Sequence, residues 1–321
     1  MSTNPTPSIN RPNRYVYSSF LDFNLIVFPV LPGLIYLIYA SMVSSNLSLF
    51  NYVLFVFLGE SHFAASVFFF RSESFEYIKQ RMTSFVLIPI ALVAVYVSIG
   101  FASLKIAIWI GAAASAYHVT KQSIGVFRLY NKKPNKESEK LIWGTSFLFV
   151  TIGFSRFFSP FNIFDNLHNK TSLFLLAATL IFLLIKIFCT DRSSSINSYS
   201  KLSLLMGCLI YAPYSFVDDP LKAALIGVSC HWLQYLSLTW AVYIRRGSSQ
   251  NRRISYVSLL IFLLVALLLS LGEQEKIMTG KVSLILLLPL SIQLLHYYYD
   301  SFIWKKSDPY INQTVFSRIY R

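Results

Sequence analysis

Charge is what this chain has least of. Only 13% of its 321 residues are charged, 14 acidic against 28 basic, where an ordinary soluble domain carries about 25%. Its three cysteines, Cys189, Cys208 and Cys230, form no CxxC pair and lie in or beside apolar runs. They read as small core residues and have no bearing on redox compartment. No GxxxxGK[ST] phosphate loop, HExxH pair or GxSxG elbow occurs, which leaves ATPase, zincin and serine-hydrolase readings without support. The paired histidine boxes of membrane desaturases are missing as well, and no tandem repeat is visible.

What is present is apolar. Hydrophobic residues make up 55% of the chain and aromatics 17%, with mean hydropathy +0.54. This composition predicts an all-α, polytopic membrane helix bundle. The net charge of +14 resembles a nucleic-acid signature, but the basic residues are scattered through short loops between apolar runs, where membrane topology accounts for them. No nucleic-acid partner is expected. The first 20 residues are polar and lack the apolar core of a signal peptide, so they read as a short cytoplasmic tail.

Ten apolar runs have the length a membrane-crossing helix needs, about 17–25 residues. They cover roughly 24–43, 47–70, 84–103, 106–130, 141–158, 172–190, 201–217, 221–244, 254–272 and 282–304. With the N-terminus inside, the predicted cytoplasmic segments hold Arg71, Lys79 and Arg81, then Lys132 to Lys140, Arg192 and Lys201, Arg245 to Arg253, and Lys305 to Arg321. The opposite loops hold Lys105, Lys170, Asp218–Asp219 and the run from Glu273 to Lys281. That asymmetry follows the positive-inside rule and predicts cytoplasmic N- and C-termini. One transmembrane domain over 21–305 is expected, between polar tail 1–20 and basic tail 306–321. Spans 5 and 7 are the shortest. Asp218–Asp219–Pro220 reads as a turn that starts span 8.

Four histidines, His62, His118, His231 and His296, fall inside these runs, while His168 lies in a stretch that reads as a polar loop. All four sit on spans predicted to run in the same direction, each ending in an aromatic and basic edge of the kind that gathers at membrane interfaces. They precede Arg71, Arg128, Arg245 and Lys305 by 9, 10, 14 and 9 residues. At 1.5 Å rise per residue this puts them roughly 13–21 Å from the inner interface, in one slab around the midplane. Ionisable groups at that depth are costly and by default mark a functional site, and imidazole is the commonest metal ligand.

Polar companions accompany them at helical spacing. Gln122 follows His118 by four, Gln234 follows His231 by three and Asp300 follows His296 by four. Asp300 could accept the second N–H of a metal-bound imidazole. Glu60 is two residues from His62, on another face, and is expected to reach a neighbouring span. Lys121 could pair with Glu60 or Asp300. The plainer reading of each histidine is an interhelical hydrogen-bonded tether. Tyr297, Tyr298 and Tyr299 read as packing and interface anchors rather than a redox chain, and Tyr235 and Trp240 as packing residues, with the lining of a substrate pocket as the alternative.

These features point to one metal ion held by His62, His118, His231 and His296, with Asp300, Glu60, Gln122 and Gln234 as the further catalytic candidates. Nitrogen-rich ligation suits non-haem Fe(II), with zinc or haem as alternatives. The function expected is a membrane-embedded iron-dependent oxygenase acting on an apolar lipid or isoprenoid. A transporter or proton-coupled carrier could use the same ionisable residues, although neither an inverted repeat nor a Gly/Pro-broken helix pair is evident. A metal-free acyl- or glycosyltransferase with a histidine base is a third reading.

The segments YHVTKQSIGVFRLYN (Tyr117 to Asn131), HWLQYLSLTW (His231 to Trp240) and HYYYDSFIWK (His296 to Lys305) resemble blocks of bacterial multi-spanning membrane proteins that share HxxQYxxxxW and HYYxDxxIW patterns. More distantly, the plan resembles the membrane-bound β-carotene-cleaving dioxygenases of bacteria. The resemblance implies a bacterial plasma-membrane location and His62, His118, His231 and His296 as iron ligands.

Overall fold

The computed structural model describes residues 15–42, 47–65, 75–131, 136–157, 165–189, 198–245 and 284–319. Among them all regular structure is helical, with no strand. The predicted ninth span, 254–272, lies outside the described residues, as do residues 66–74, which include the end of the second, and 246–253.

Most predicted runs correspond to helices. Thr83–Ala102 and Thr171–Phe188 are long and apolar enough to cross a membrane, and the bent pair Ser19–Val27 and Leu31–Met42 would add a third if it counts as one span. Other long helices carry more polar groups, as Leu104–Tyr130 does with His118, Lys121 and Gln122. His168, expected in a loop, lies within the helix Asp165–Leu184.

The first predicted span is not continuous. Its two helices meet at a 66° bend, because Pro29 has no N–H to continue the ladder and restricts the residue before it. Phe28 accordingly leaves helical geometry, at φ −138° and ψ 62°. Val30 N–H turns to the Phe28 carbonyl at 2.8 Å, which frees the carbonyl of Ile26. A proline-broken pair therefore exists, contrary to the sequence expectation. The seventh run ends as a helix at Leu209, with a short tight turn at Ala212–Ser215 beyond it. The eighth is divided at Gly227 into Pro220–Ile226 and Val228–Ile244.

Local chemistry explains the other boundaries. Asp219 caps Pro220–Ile226 by accepting from Lys222 N–H at 2.9 Å, so the acidic pair does start that helix. Ser103 is the single residue between Thr83–Ala102 and Leu104–Tyr130, and its hydroxyl caps the second helix. Close helix contacts use glycine. A Cβ at Gly33 would overlap the Ile226 carbonyl, and one at Gly227 the Ile210 carbonyl, so only glycine lets those backbones approach.

Leu104–Tyr130 is central, packed against Ser198–Leu209, Ile88–Ala102, Lys136–Phe157, Leu284–Ile303 and Val228–Ile244. The apolar interior has three parts. One gathers Ile124, Phe127, Ile142, Leu183 and Cys208, and another Tyr36, Val119, Phe149, Leu225 and Trp232. The third joins Val16, Ile26, Val126 and Ile303 to Ile311, Val315 and Ile319, so the C-terminal segment packs against the bundle through residues four apart. Arg245 fastens it there by donating to the carbonyls of Arg318, Ile319 and Val16. Cys208 and Cys230 are buried free thiols, in keeping with small core residues.

Candidate metal centre

Four helices bring the four histidines together. The short helix Ser61–Ala64, carrying His62, contacts both Val228–Ile244 and Leu284–Ile303, and Leu104–Tyr130 contacts the same two. The histidine-bearing helices thus close a four-sided ring. His62 reaches it by way of a widened turn. Residues Phe55–Glu60 form a π-type turn, with Ser61 N–H bonded back to Val56 and Leu58. The Ser61 hydroxyl also donates to the Val56 carbonyl, at 3.1 Å. Such turns insert one residue into the helical register and recur at functional sites.

All four imidazoles are buried, none more than 6% exposed. The His62 ring lies 4.3 Å from His296, 4.7 Å from His231 and 6.0 Å from His118, centroid to centroid. His118 lies 5.0 Å from both His231 and His296. His62, His118 and His296 each offer a ligand atom within 4.8 Å of the other two, so three buried histidines could hold one metal ion. Two nitrogens bound to one zinc ion, each at about 2.1 Å, are at most about 4.2 Å apart. Small side-chain rotations would close the difference.

The donor set also fits a metal on its hydrogen bonds. A neutral imidazole has one donor and one acceptor nitrogen, and buried polar groups are rarely left unmatched. Among the described residues, both ring nitrogens of His62 and of His231, and Nε2 of His118, have no hydrogen-bond partner. Each unmatched group costs about 1–3 kcal/mol, which an ion would offset. A haem between His62 and His118, the farthest apart of these pairs at 6.0 Å, does not fit. His231 and His296 lie within 5.0 Å of both His62 and His118, in the space a haem sandwiched between that pair would need.

Asp300 joins the cluster from the His296 helix. Its Oδ2 lies 3.7 Å from His118 Nε2 and 3.7 Å from His296 Nε2, so it faces two histidines rather than His296 alone. Its Oδ1 accepts a 2.7 Å hydrogen bond from the Tyr235 hydroxyl. Tyr235 is fully buried, with its ring edge-on to His62 at 4.4 Å and to His296 at 4.9 Å. Sequence reasoning placed it among packing residues. The signal was the spacing of four from His231, the same spacing that picked out Asp300. Tyr297 stacks on His118 at 4.5 Å and accepts from Gln293 Nε2 at 2.7 Å.

The remaining candidates stand differently. Gln122 Nε2 donates to the backbone carbonyl of His231 at 3.4 Å, which ties two of the ring helices together. Gln234 Nε2 donates at 2.7 Å to the Ile26 carbonyl, the acceptor freed by the break at Pro29. Both amides thus bond to backbone rather than to an imidazole. Glu60 is buried at the end of the widened turn and is not one of the three gathered ligand residues. The expected pairing of Lys121 with Glu60 or Asp300 does not form. Lys121 lies on an exposed part of its helix, with Nζ 5.6 Å from the Tyr117 ring and 5.7 Å from Trp143.

A cavity of about 440 Å³ adjoins the centre. His118, Gln122 and Asp300 lie at one part of it, Tyr117, Trp143 and Trp304 along its walls, and Lys121, Arg128, Glu139 and Lys305 among its polar lining. Compared with known proteins, the chain matches no family model, no curated protein and no solved structure.

Proposed function

We propose that this chain is a polytopic membrane protein of about ten spans, with both ends cytoplasmic, and that its histidine centre holds one Fe(II) for an oxygenase reaction on an apolar lipid or isoprenoid. The observation that carries the metal reading is the meeting of four buried histidines from four separate helices, several of their ring nitrogens unmatched. Lone interhelical tethers would bond to carbonyls or hydroxyls instead. The membrane reading is supported by large apolar side chains that face outward, such as Phe147 at 75%, Phe174 at 70% and Ile90 at 62% exposure.

His62, His118, His231 and His296 are the proposed protein ligands. Asp300 is either a fifth or the group that orients His118 and His296. A set of histidines with one carboxylate and an open position suits non-haem Fe(II) oxygenases, with zinc as the competing metal. Bound Fe(II) would supply the site for O₂. In a dioxygenase reaction both atoms of O₂ enter the substrate, one C=C bond breaks and two carbonyl groups form, so no external reductant is consumed. The protein's own part is to exclude water from the centre, to hold the four imidazoles together and to fix Asp300 through Tyr235.

The carrier reading draws on one observation, the proline-broken pair at Pro29. The carbonyl freed by that break is already taken by Gln234, which leaves the oxygenase reading stronger. The test is ¹⁸O₂ incorporation by iron-loaded protein in detergent, supplied with polyunsaturated lipids and isoprenoids. Two labelled carbonyl oxygens per cleaved bond are expected. No O₂ uptake by any of these substrates in protein that holds iron would contradict it.

A further inference from the structure

We propose that the cavity beside His118 and Asp300 receives an amphiphile with an anionic head, a carboxylate or phosphate, held at Lys121 and Lys305. The inference deepens the oxygenase reading by naming its substrate class, and it rests on that reading for the position of the reacting bond.

Three features of the cavity converge on this ligand. Its volume of about 440 Å³ lies within the ~300–1,000 Å³ typical of small-molecule sites, and its walls carry Tyr117, Trp143, Trp304 and Phe316. Those aromatic surfaces suit an apolar chain. His118 and Asp300 border the same cavity, so a chain lying in it reaches the proposed metal centre. The charged lining, Lys121, Arg128 and Lys305 against Glu139 and Asp300, has one more cation than anion. Arg128 is neutralised by Glu139 through two 2.7 Å hydrogen bonds, whereas Lys121 and Lys305 make no ion pair among the described residues.

Lys121 is the more telling of the two. It lies seven residues before Arg128 within an otherwise weakly charged helix, and if that helix is a span as proposed, a lysine there belongs to a pathway or a site more often than to packing. Its ammonium lies 5.6 Å from the Tyr117 ring and 5.7 Å from the Trp143 ring. Being three residues from His118, it shares that helix face. An anionic oxygen there gains a charge-assisted hydrogen bond, and its chain is aimed along the cavity toward His118.

The test is equilibrium binding to purified protein in a neutral detergent, read by quenching of tryptophan fluorescence. The probes are an unsaturated long-chain fatty acid, its alcohol, a prenyl phosphate and its prenol. Either anion is expected to bind at least about tenfold tighter than its alcohol, the tighter of the two identifying the head group. The double variant Lys121→Met/Lys305→Met is expected to bring the ratio to within about twofold. Equal affinity for acid and alcohol, and for phosphate and prenol, in the wild type would overturn the proposal, as would a preference that survives in a folded double variant. Binding is measured with and without chelator. An anion preference in protein that never oxygenates a bound ligand, even when iron-loaded, refutes the oxygenase reading alone. Oxygenation of alcohols as fast as acids refutes the head-group proposal alone.

Discussion

Tyr235 and Asp300, 65 residues apart in sequence, share a 2.7 Å hydrogen bond at the centre of the bundle. That bond takes Asp300 Oδ1 and leaves Oδ2 3.7 Å from Nε2 of both His118 and His296. One carboxylate orientation is thereby fixed relative to two imidazoles on different helices. Hydrogen bonds to groups that orient metal ligands typically change metal affinity by about 10–100-fold when removed.

Tyr235→Phe is accordingly expected to keep the fold and weaken metal retention by about 10–100-fold. Competition with a graded series of chelators measures this, with thermal unfolding as the check on folding. Asp300→Asn keeps the volume and removes the charge, and should weaken retention at least as much. Wild-type affinity in both variants would assign the pair to packing alone.

Gln234 provides the contrast. Its amide satisfies the Ile26 carbonyl, left open where Val30 N–H turns to Phe28, so Gln234→Leu is expected to lower stability by about 1–3 kcal/mol while metal content stays at the wild-type level. Metal analysis beside thermal unfolding separates the two effects.

Gly33 tests the helix packing. Any side chain there meets the backbone of Ile226, which cannot rotate aside as a flexible side chain can. Gly33→Val is expected to destabilise by about 1–3 kcal/mol or more, read as a lower unfolding temperature in detergent.

At the expected cytoplasmic edge, the hydrogen bond from Arg128 holds the Glu139 carboxyl below its ordinary value. A carboxyl depressed in the folded state adds stability above its unfolded pKa, and that stability is lost as pH falls through the folded value. Wild type and Glu139→Gln should therefore differ in unfolding temperature near neutral pH and converge as pH drops through and below about 4.3. A difference that persists at low pH would mean that the ion pair is not its source.

The four histidines were legible because an apolar run carries so few ionisable groups that each stands out, and because their counted distances from the basic edges are similar. Asp300 was legible for the same reason, at helical spacing from His296. Tyr235 was not, since a tyrosine among apolar residues gives no sign of whether its hydroxyl is used. The partners of the glutamines were not legible. Spacing places a side chain on a face, but the carbonyls of His231 and Ile26 that they meet are set by tertiary packing. The break at Pro29 was available from the sequence, yet the apolar run continues through it and hydropathy is blind to a missing N–H. Lys121 was expected to find an acid within the bundle, and the helix instead turns it toward the aromatic cavity wall.

The central claim, one metal ion held by histidines from four helices, is tested most directly by elemental analysis of the detergent-purified protein beside folded His118→Ala and His296→Ala variants. About one iron per wild-type chain, lost in both variants, is the predicted result. Folded wild type free of metal, or stoichiometric iron retained in both variants, would contradict it.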